Sequence, residues 1–353
     1  MSKFAIFAWV AFACTLMLTR DGSSQEFIGP HGYLTFEAEI SNKDSVGERG
    51  TFDLHHLNII GNFLLDSKTR VFGEIEWEHG IDTEAEGQNG KGIGFVRVER
   101  AWFEVVLSDQ LAFRLGKFLT PYGIYNEIHD AAPAYDTSIL PTSIYGQHEN
   151  PFGQQQRFYA KFSIGIQALG KLEFGGLGLD YQAFVSNGRG SKPFEQDDNG
   201  NKGIGFRLES DIAAAGLKLG YSLYTDRNGL ANNTRQTSHA WDVRFEHKRW
   251  RLSGEVALSR LGRGKAAAHD QVANAGYGEL AYHLFRRQTV LVRYDIFDAD
   301  RRRSGDLEKD LTLGMSIQAS QKVVVKSEVH FLHAENAARQ DFVLAIASLA
   351  VVF

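Results

Sequence analysis

Apolar and polar residues alternate one for one along most of the chain. In residues 157–169, RFYAKFSIGIQAL, Phe158, Ala160, Phe162, Ile164 and Ile166 are apolar, while Arg157, Tyr159, Lys161, Ser163 and Gln167 alternate with them. A two-residue period places successive side chains on opposite faces of a strand, so one face is oily and the other wet. The pattern returns in Leu217, Leu219, Tyr221 and Leu223; in Trp241, Val243 and Phe245; and in Leu252, Val256 and Leu258. Leu311, Leu313, Met315 and Ile317 repeat it, whereas helical periodicity is almost absent.

Turns at Gly, Asn and Asp clusters divide the chain into sixteen predicted strands. They fall near 32–41, 52–65, 69–79, 93–107, 110–119, 156–169, 171–186 and 203–213, then near 216–225, 238–248, 250–260, 275–285, 288–298, 309–319, 321–333 and 341–353. An even count suits a closed antiparallel barrel. Strand four carries Arg97 and Arg100 on opposite faces, which predicts a bulge between them. Connections alternate between tight ones (SDQ, HKRW, FRRQ) and long ones such as DTEAEGQNGKG and KPFEQDDNGNKG. Tight turns on one rim and long loops on the other are the arrangement of an outer-membrane barrel. The ionised alternate face points the same way, because a small soluble barrel fills its interior with apolar side chains. Alternation alone leaves a soluble all-β sandwich or lipocalin open.

The ends of the chain tip that choice. The last twelve residues, FVLAIASLAVVF, carry no charge. They are too few for a membrane-crossing helix of about 20 residues and suit a tilted strand of about 9 to 11; length alone also permits a buried terminal helix. Residues 1–24, with Lys3 followed by FAIFAWVAFACTLML, read as a secretory signal peptide cleaved near Ser24, leaving 25–353 as one barrel domain. Cys14 inside this run raises a lipoprotein alternative, but the small-residue box is poor. Without Cys14 the remaining chain has no cysteine for a disulfide, a thiolate metal site or a nucleophile.

Composition agrees: 36 Gly and 37 Tyr plus Phe stand against 6 Pro and 3 Met. A formal net charge of −5 is too mild to imply a nucleic-acid partner. GIGFVR (92–97) and GIGFRL (203–208) lack the third glycine and the helix of a dinucleotide site. His330 with His333, and His55 with His56, lack the spacing and carboxylate context of a metal site, so no metal and no cofactor is expected. Ser327 and His330 fall on opposite faces of one strand, which defeats a barrel-lipase arrangement. No enzymatic activity is expected. An adhesin or scaffold barrel with a plugged lumen is the remaining alternative.

Residues 111–127, LAFRLGKFLTPYGIYNE, resemble the Gram-negative outer-membrane porins of the phosphate-selective type and their relatives. The resemblance lies in Arg114, Gly116, Lys117 and Phe118, followed by Pro121, Tyr122 and Gly123 leading into a long loop. It implies a sixteen-stranded homotrimeric channel in the outer membrane, in contact with lipid and lipopolysaccharide. It also implies a terminal aromatic, here Phe353, read by the barrel assembly machinery, and a loop folded inward to narrow the pore. That loop, 120–155, supplies Tyr122, Glu127, His129, Asp130 and Asp136 as constriction candidates. It holds no Lys or Arg, whereas a phosphate filter needs cationic or strong donor groups. Passage of ions and small polar solutes is the expected function, with anion, phosphate or organic-acid preference as the finer expectation. If the wet faces line the lumen, Glu37, Glu39, Glu74, Glu76 and Glu78 form an acidic wall and Arg114, Arg157, Lys161, Arg207 and Lys218 a roughly opposed basic one. The alternative is local pairing that stiffens the wall, as Arg293 with Asp295 could do.

Overall fold

The computed structural model describes residues 26–42, 50–78, 95–128, 132–145, 158–189, 197, 200–227, 234–262, 269–336 and 340–353. Sixteen strands account for most of them. The first eight are β1 (Glu26–Ser41), β2 (Thr51–Leu64), β3 (Thr69–Glu78), β4 (Phe95–Ser108), β5 (Leu111–Leu119), β6 (Phe162–Phe174), β7 (Leu177–Ser186) and β8 (Gly203–Ile212). The second eight are β9 (Leu217–Arg227), β10 (Arg235–His247), β11 (Trp250–Leu261), β12 (Gln271–Phe285), β13 (Gln288–Asp298), β14 (Leu307–Ser320), β15 (Val323–Ala334) and β16 (Phe342–Val352). Each pairs antiparallel with its sequence neighbours, and β1 pairs with β16 from Tyr33–Val352 to Ser41–Leu344, closing the ring. No helix among the described residues is long and apolar enough to cross a membrane, and a closed barrel needs none.

Every connection leaving an even-numbered strand is two to four residues long, and every one leaving an odd-numbered strand is seven or more. The tight and long rims predicted from the turn residues are therefore real. The faces also separate by chemistry. Leu219, Trp241, Val256, Leu313, Val325 and Leu349 are exposed on the outside. The alternate positions Gln167, Ser222, Asp242, Glu255, Arg293, Thr312 and Lys326 are buried on the inside, each at 5% exposure or less. An exposed apolar surface of this extent has the chemistry of a surface that faces lipid.

Two bulges adjust the alternation. Arg100 opposes Glu74 while Val98 opposes Ile75, so β4 carries the extra residue predicted near Arg97 and Arg100, and both arginines reach glutamates on the inner face of β3. In β2, Thr35 opposes His56 but Glu37 opposes Asp53, and this bulge turns the consecutive His55 and His56 both to the buried side.

Strand six departs from expectation. The alternation at Phe158–Lys161 belongs to no strand: β6 starts at Phe162 and runs past Gly170 to Phe174. Gly170 is no turn, since a Cβ there would lie 2.0 Å from the Gln110 carbonyl oxygen. The turn sits at Gly175–Gly176, whose φ values of 54° and 92° lie in the left-handed region that glycine adopts without steric cost. Phe158, Tyr159 and Ala160 are buried, at 5% exposure or less, against the inner wall and imitate strand alternation for that reason. The signal-peptide reading for 1–24 lies outside the described residues.

Candidate functional site: an inward loop anchored across the barrel

Between β5 and β6 the chain turns into the barrel. Asn126 ties its two ends together, donating through Nδ2 to the carbonyls of Thr120 (2.7 Å) and Lys161 (3.1 Å). Thr120 N–H also donates to the Lys161 carbonyl, and the Thr120 and Ser163 hydroxyls lie 2.8 Å apart. From this neck the described residues among 120–145 reach the far wall through three sets of contacts.

The first contact is the turn at Gly123, where φ is +63°. Gly123 N–H donates to Ser222 on β9 (3.0 Å), and Ile124 N–H donates to the Glu255 carboxylate on β11 (3.3 Å). The Tyr145 hydroxyl donates to the same carboxylate at 2.6 Å. A Cβ at Gly123 would lie 2.0 Å from that hydroxyl and 2.2 Å from Glu255, so both backbone conformation and space require glycine. Tyr122 is fully buried and stacks on Tyr159 at 4.4 Å between ring centroids. Burial, reinforced by the nearby Glu255, pushes its phenol well above its ordinary pKa. Around this turn Phe118, Tyr145, Phe158, Phe184, Tyr224 and Tyr277 form a buried cluster inside the barrel.

The second contact runs through residues 136–139. Both oxygens of Glu328 on β15 accept backbone N–H groups, from Ser138 (2.7 Å) and Ile139 (3.1 Å). His330 holds Glu328 from behind at 3.1 Å and reaches Asp310 at 2.8 Å. Arg293 on β13, wholly buried, donates to Thr137 Oγ1 (3.1 Å) and the Ile139 carbonyl (3.2 Å) while pairing with Asp295 at 2.9 Å. Lys326 donates to the Thr137 carbonyl (2.6 Å), and the Ser138 and Ser348 hydroxyls meet at 2.6 Å. Asp136 accepts from Arg251 and from Ser316 (2.5 Å). Burial alone would raise its pKa, but Arg251 beside it and the Ser316 bond hold the carboxyl below the ordinary value. The third contact is the single turn α1 (Thr142–Tyr145), whose Ser143 hydroxyl donates to Asp295 at 2.9 Å. Hydrogen bonds to charged groups are worth about 1.5–3 kcal/mol each, so the loop is held by a set of strong anchors.

Beside the neck lies a cavity of about 310 Å³ bordered by Glu127, Asp180, Gln182, Arg207, Glu209 and Arg244. Glu127 accepts from Gln182 Nε2 at 2.7 Å, and burial raises its pKa against the opposing pull of that bond, Arg207 and Arg114. His129 and Asp130, and the wall candidate Arg157, lie outside the described residues.

The wall candidates sit among near neighbours of opposite sign. Glu74 pairs with Arg100 (2.5 Å), Glu76 and Glu78 with Arg97 (2.6 and 2.9 Å), and Glu37 with His55 (3.0 Å). Asn58 bridges Glu74 and Glu76, 3.0 Å from each. Arg114 binds Glu104 (2.7 Å) and lies 4.2 Å over the Trp102 ring. Arg207 binds Asp242 (2.6 Å) and Glu209 (3.0 Å); Lys218 binds Asp211 (3.2 Å) at the tight-turn rim. Glu39 shares the inner parity of Glu37 and is half-buried near the long-loop rim. Lys161 stands on the returning end of the loop rather than on a strand, buried beside Phe162. The expectation of two opposed single-sign walls therefore gives way to pairs within each wall. The Arg293–Asp295 pair anticipated as wall stiffening is present and also holds the loop. Phe353 exchanges backbone hydrogen bonds with Gly32 at 3.0 and 3.1 Å, and its ring fills the space where a Gly32 side chain would stand.

Of the loop's anchors, Arg293 was expected only as a stiffener of the wall, and Glu328, Lys326 and Glu255 were not singled out in the sequence. The only signal was their ionised character on inward positions of apolar strands. The expectation that His55 and His56 lack carboxylate context is also corrected, because Glu37 and Glu78 stand beside them.

No family model matches the chain, and no curated protein matches its sequence. Solved structures do match. An anion-selective porin from Comamonas acidovorans superposes with a TM-score of 0.66 at 16% identity, covering 94% of this chain and 100% of that one. OmpF of Salmonella typhi in complex with daunomycin gives 0.64 at 14% identity over 94% and 98%. The trimer form of OmpT, an outer membrane protein of Vibrio cholerae, gives 0.60 at 9% identity over 94% and 100%. At these identities the likeness establishes the fold: a closed sixteen-strand antiparallel barrel shared with outer-membrane porins.

Proposed function

We propose that the protein is an outer-membrane porin: a water-filled channel for passive diffusion of ions and small hydrophilic solutes, without enzymatic activity. The observation that carries this reading is that residues 120–128 and 132–145, between β5 and β6, lie inside a closed barrel and are tied to Glu255, Arg293, Lys326 and Glu328 on the opposite wall. A barrel with a polar interior and an apolar exterior conducts unless something fills it, and a partial crossing narrows the bore without sealing it. Placement in a Gram-negative outer membrane and assembly as a homotrimer follow the outer-membrane and trimer descriptions of the matching structures. Contact with lipopolysaccharide at the rim, and Phe353 as the residue read by the assembly machinery, belong to the same reading.

Selectivity is set by the border of the constriction. Tyr122, Glu127, His129, Asp130 and Asp136 are the loop's contribution, and Arg114, Arg157, Lys161, Arg207 and Lys218 with Glu37, Glu39, Glu74, Glu76 and Glu78 are the wall's. A phosphate or organic-acid preference draws its cations from the wall and from the returning end of the loop at Arg157 and Lys161, since residues 120–155 hold no Lys or Arg. Reconstitution in planar lipid bilayers tests the channel: stepwise conductance is expected, and its complete absence in trimeric, folded protein sinks the proposal. Such an absence would favour a plugged scaffold or adhesin barrel, a reading to which the aromatic cluster around Tyr122 gives some substance. For selectivity, Glu74, Glu76 and Glu78 together changed to Gln release Arg97 and Arg100 from two of their partners each or fewer. The reversal potential in a KCl gradient then moves toward anions; an unchanged potential rules these glutamates out of the selectivity path.

A further inference from the structure

The bulge in β2 creates a feature that a regular strand cannot have: two consecutive histidines facing the same way. His55 and His56 stack with ring centroids 3.9 Å apart, both buried on the inner side of the wall near the long-loop rim. Glu78, opposite His56 on β3, completes a group in which one ligand-capable atom from each residue lies within 4.8 Å of the others. The surroundings of the rings are those of coordinating imidazoles. Metal-bound histidines characteristically hold their second nitrogen in a hydrogen bond that fixes tautomer and orientation. Here Nδ1 of His55 meets the Glu37 carboxylate at 3.0 Å, and Nδ1 of His56 meets Thr35 Oγ1 at 3.4 Å. That arrangement assigns Nε2 of each ring to the metal.

We propose that His55, His56 and Glu78 form a binding site for a divalent transition cation of the zinc or copper class, with Glu37 and Thr35 as positioning residues. Two imidazoles and one carboxylate suit such ions, whereas calcium and magnesium take oxygen donors. Glu78 also pairs with Arg97, so metal entry exchanges one bond for another. The exchange is cheap because Arg97 keeps Glu76 and Glu99 as counter-ions. The two ligand histidines come from one bulge and the carboxylate from the neighbouring strand, so the site is rigid before metal arrives.

The test uses untagged, folded, full-length barrel in detergent micelles, where binding does not depend on conduction. Zn²⁺ titration by calorimetry is expected to show one site per chain, and Cu²⁺ to give an electron paramagnetic resonance spectrum with coupling to two nitrogens. Replacing both histidines by Asn abolishes the two-nitrogen signal. Glu78→Gln weakens zinc, and Glu37→Gln, which touches no metal, weakens it about 10–100-fold. His333→Asn, an exposed histidine elsewhere on the rim, serves as control and leaves both unchanged. Absence of a stoichiometric zinc site in the wild-type barrel overturns the proposal. So does a spectrum that survives H55N/H56N, or, should that variant not fold, zinc affinity indifferent to both Glu78→Gln and Glu37→Gln.

Discussion

At the scale of single residues, the loop depends on groups whose removal has distinct consequences. Gly123→Ala puts a methyl group into space held by Tyr145 and Glu255 and imposes a left-handed conformation on a residue that resists it. The cost is about 1–3 kcal/mol, concentrated in the loop. Hydrogen exchange of residues 121–128 should accelerate while the strands stay protected. Arg293→Met leaves Asp295 and Glu279 without their buried cation, a loss of about 3–5 kcal/mol to be read as a lower unfolding temperature.

Two loop carboxyls predict opposite responses to acid. Glu127 has a raised folded pKa: its docking is favoured below the unfolded value of about 4.3, and that favour is lost as pH rises through the raised one. Asp136 has a lowered folded pKa: its contribution is present above the unfolded value of about 3.9 and is lost as pH falls through the lower one. Protection at 121–128, corrected for the intrinsic pH dependence of amide exchange, should therefore rise as pH falls through the raised value of Glu127, whereas protection at 135–139 is lost only as pH falls through the lowered value of Asp136. Glu127→Gln should remove the first effect and leave the second.

At the scale of elements, the strands were largely legible because a two-residue period with one apolar face is a local signal. Leu311 to Ile317 read correctly from sequence for that reason. Strand six did not, since Phe158 and Ala160 are apolar through packing on the inside of the barrel rather than through facing outward. Its turn shows the same limit: Gly170 and Gly175–Gly176 look alike in sequence, and only the structure distinguishes them, by the pairing of Gly170 with Tyr181 and its close approach to Gln110 and by the left-handed φ of the other two. Replacing Gly175–Gly176 by Asn-Gly should be tolerated, since asparagine enters the left-handed region readily. Val-Val at the same place should cost at least about 1–2 kcal/mol per residue and lower refolding yield in detergent. The bulge at His55 was invisible because nothing in LHHL marks a residue as extra.

At the scale of the whole molecule, the pairing of loop to wall could not have been read from the chain. Ser138 and Ser348 are 210 positions apart, and Ile139 and Glu328 are 189 apart. No periodicity connects such residues; the circle of strands does. That circle also orders events in time. Glu328, Arg293 and Ser348 take up fixed places only after β13 to β16 have joined the sheet, so a segment made early in synthesis finds its moorings among the last parts to arrive. The narrowing of the bore is thus tied to closure of the whole ring: the loop is fully moored only where both ends of the chain have met.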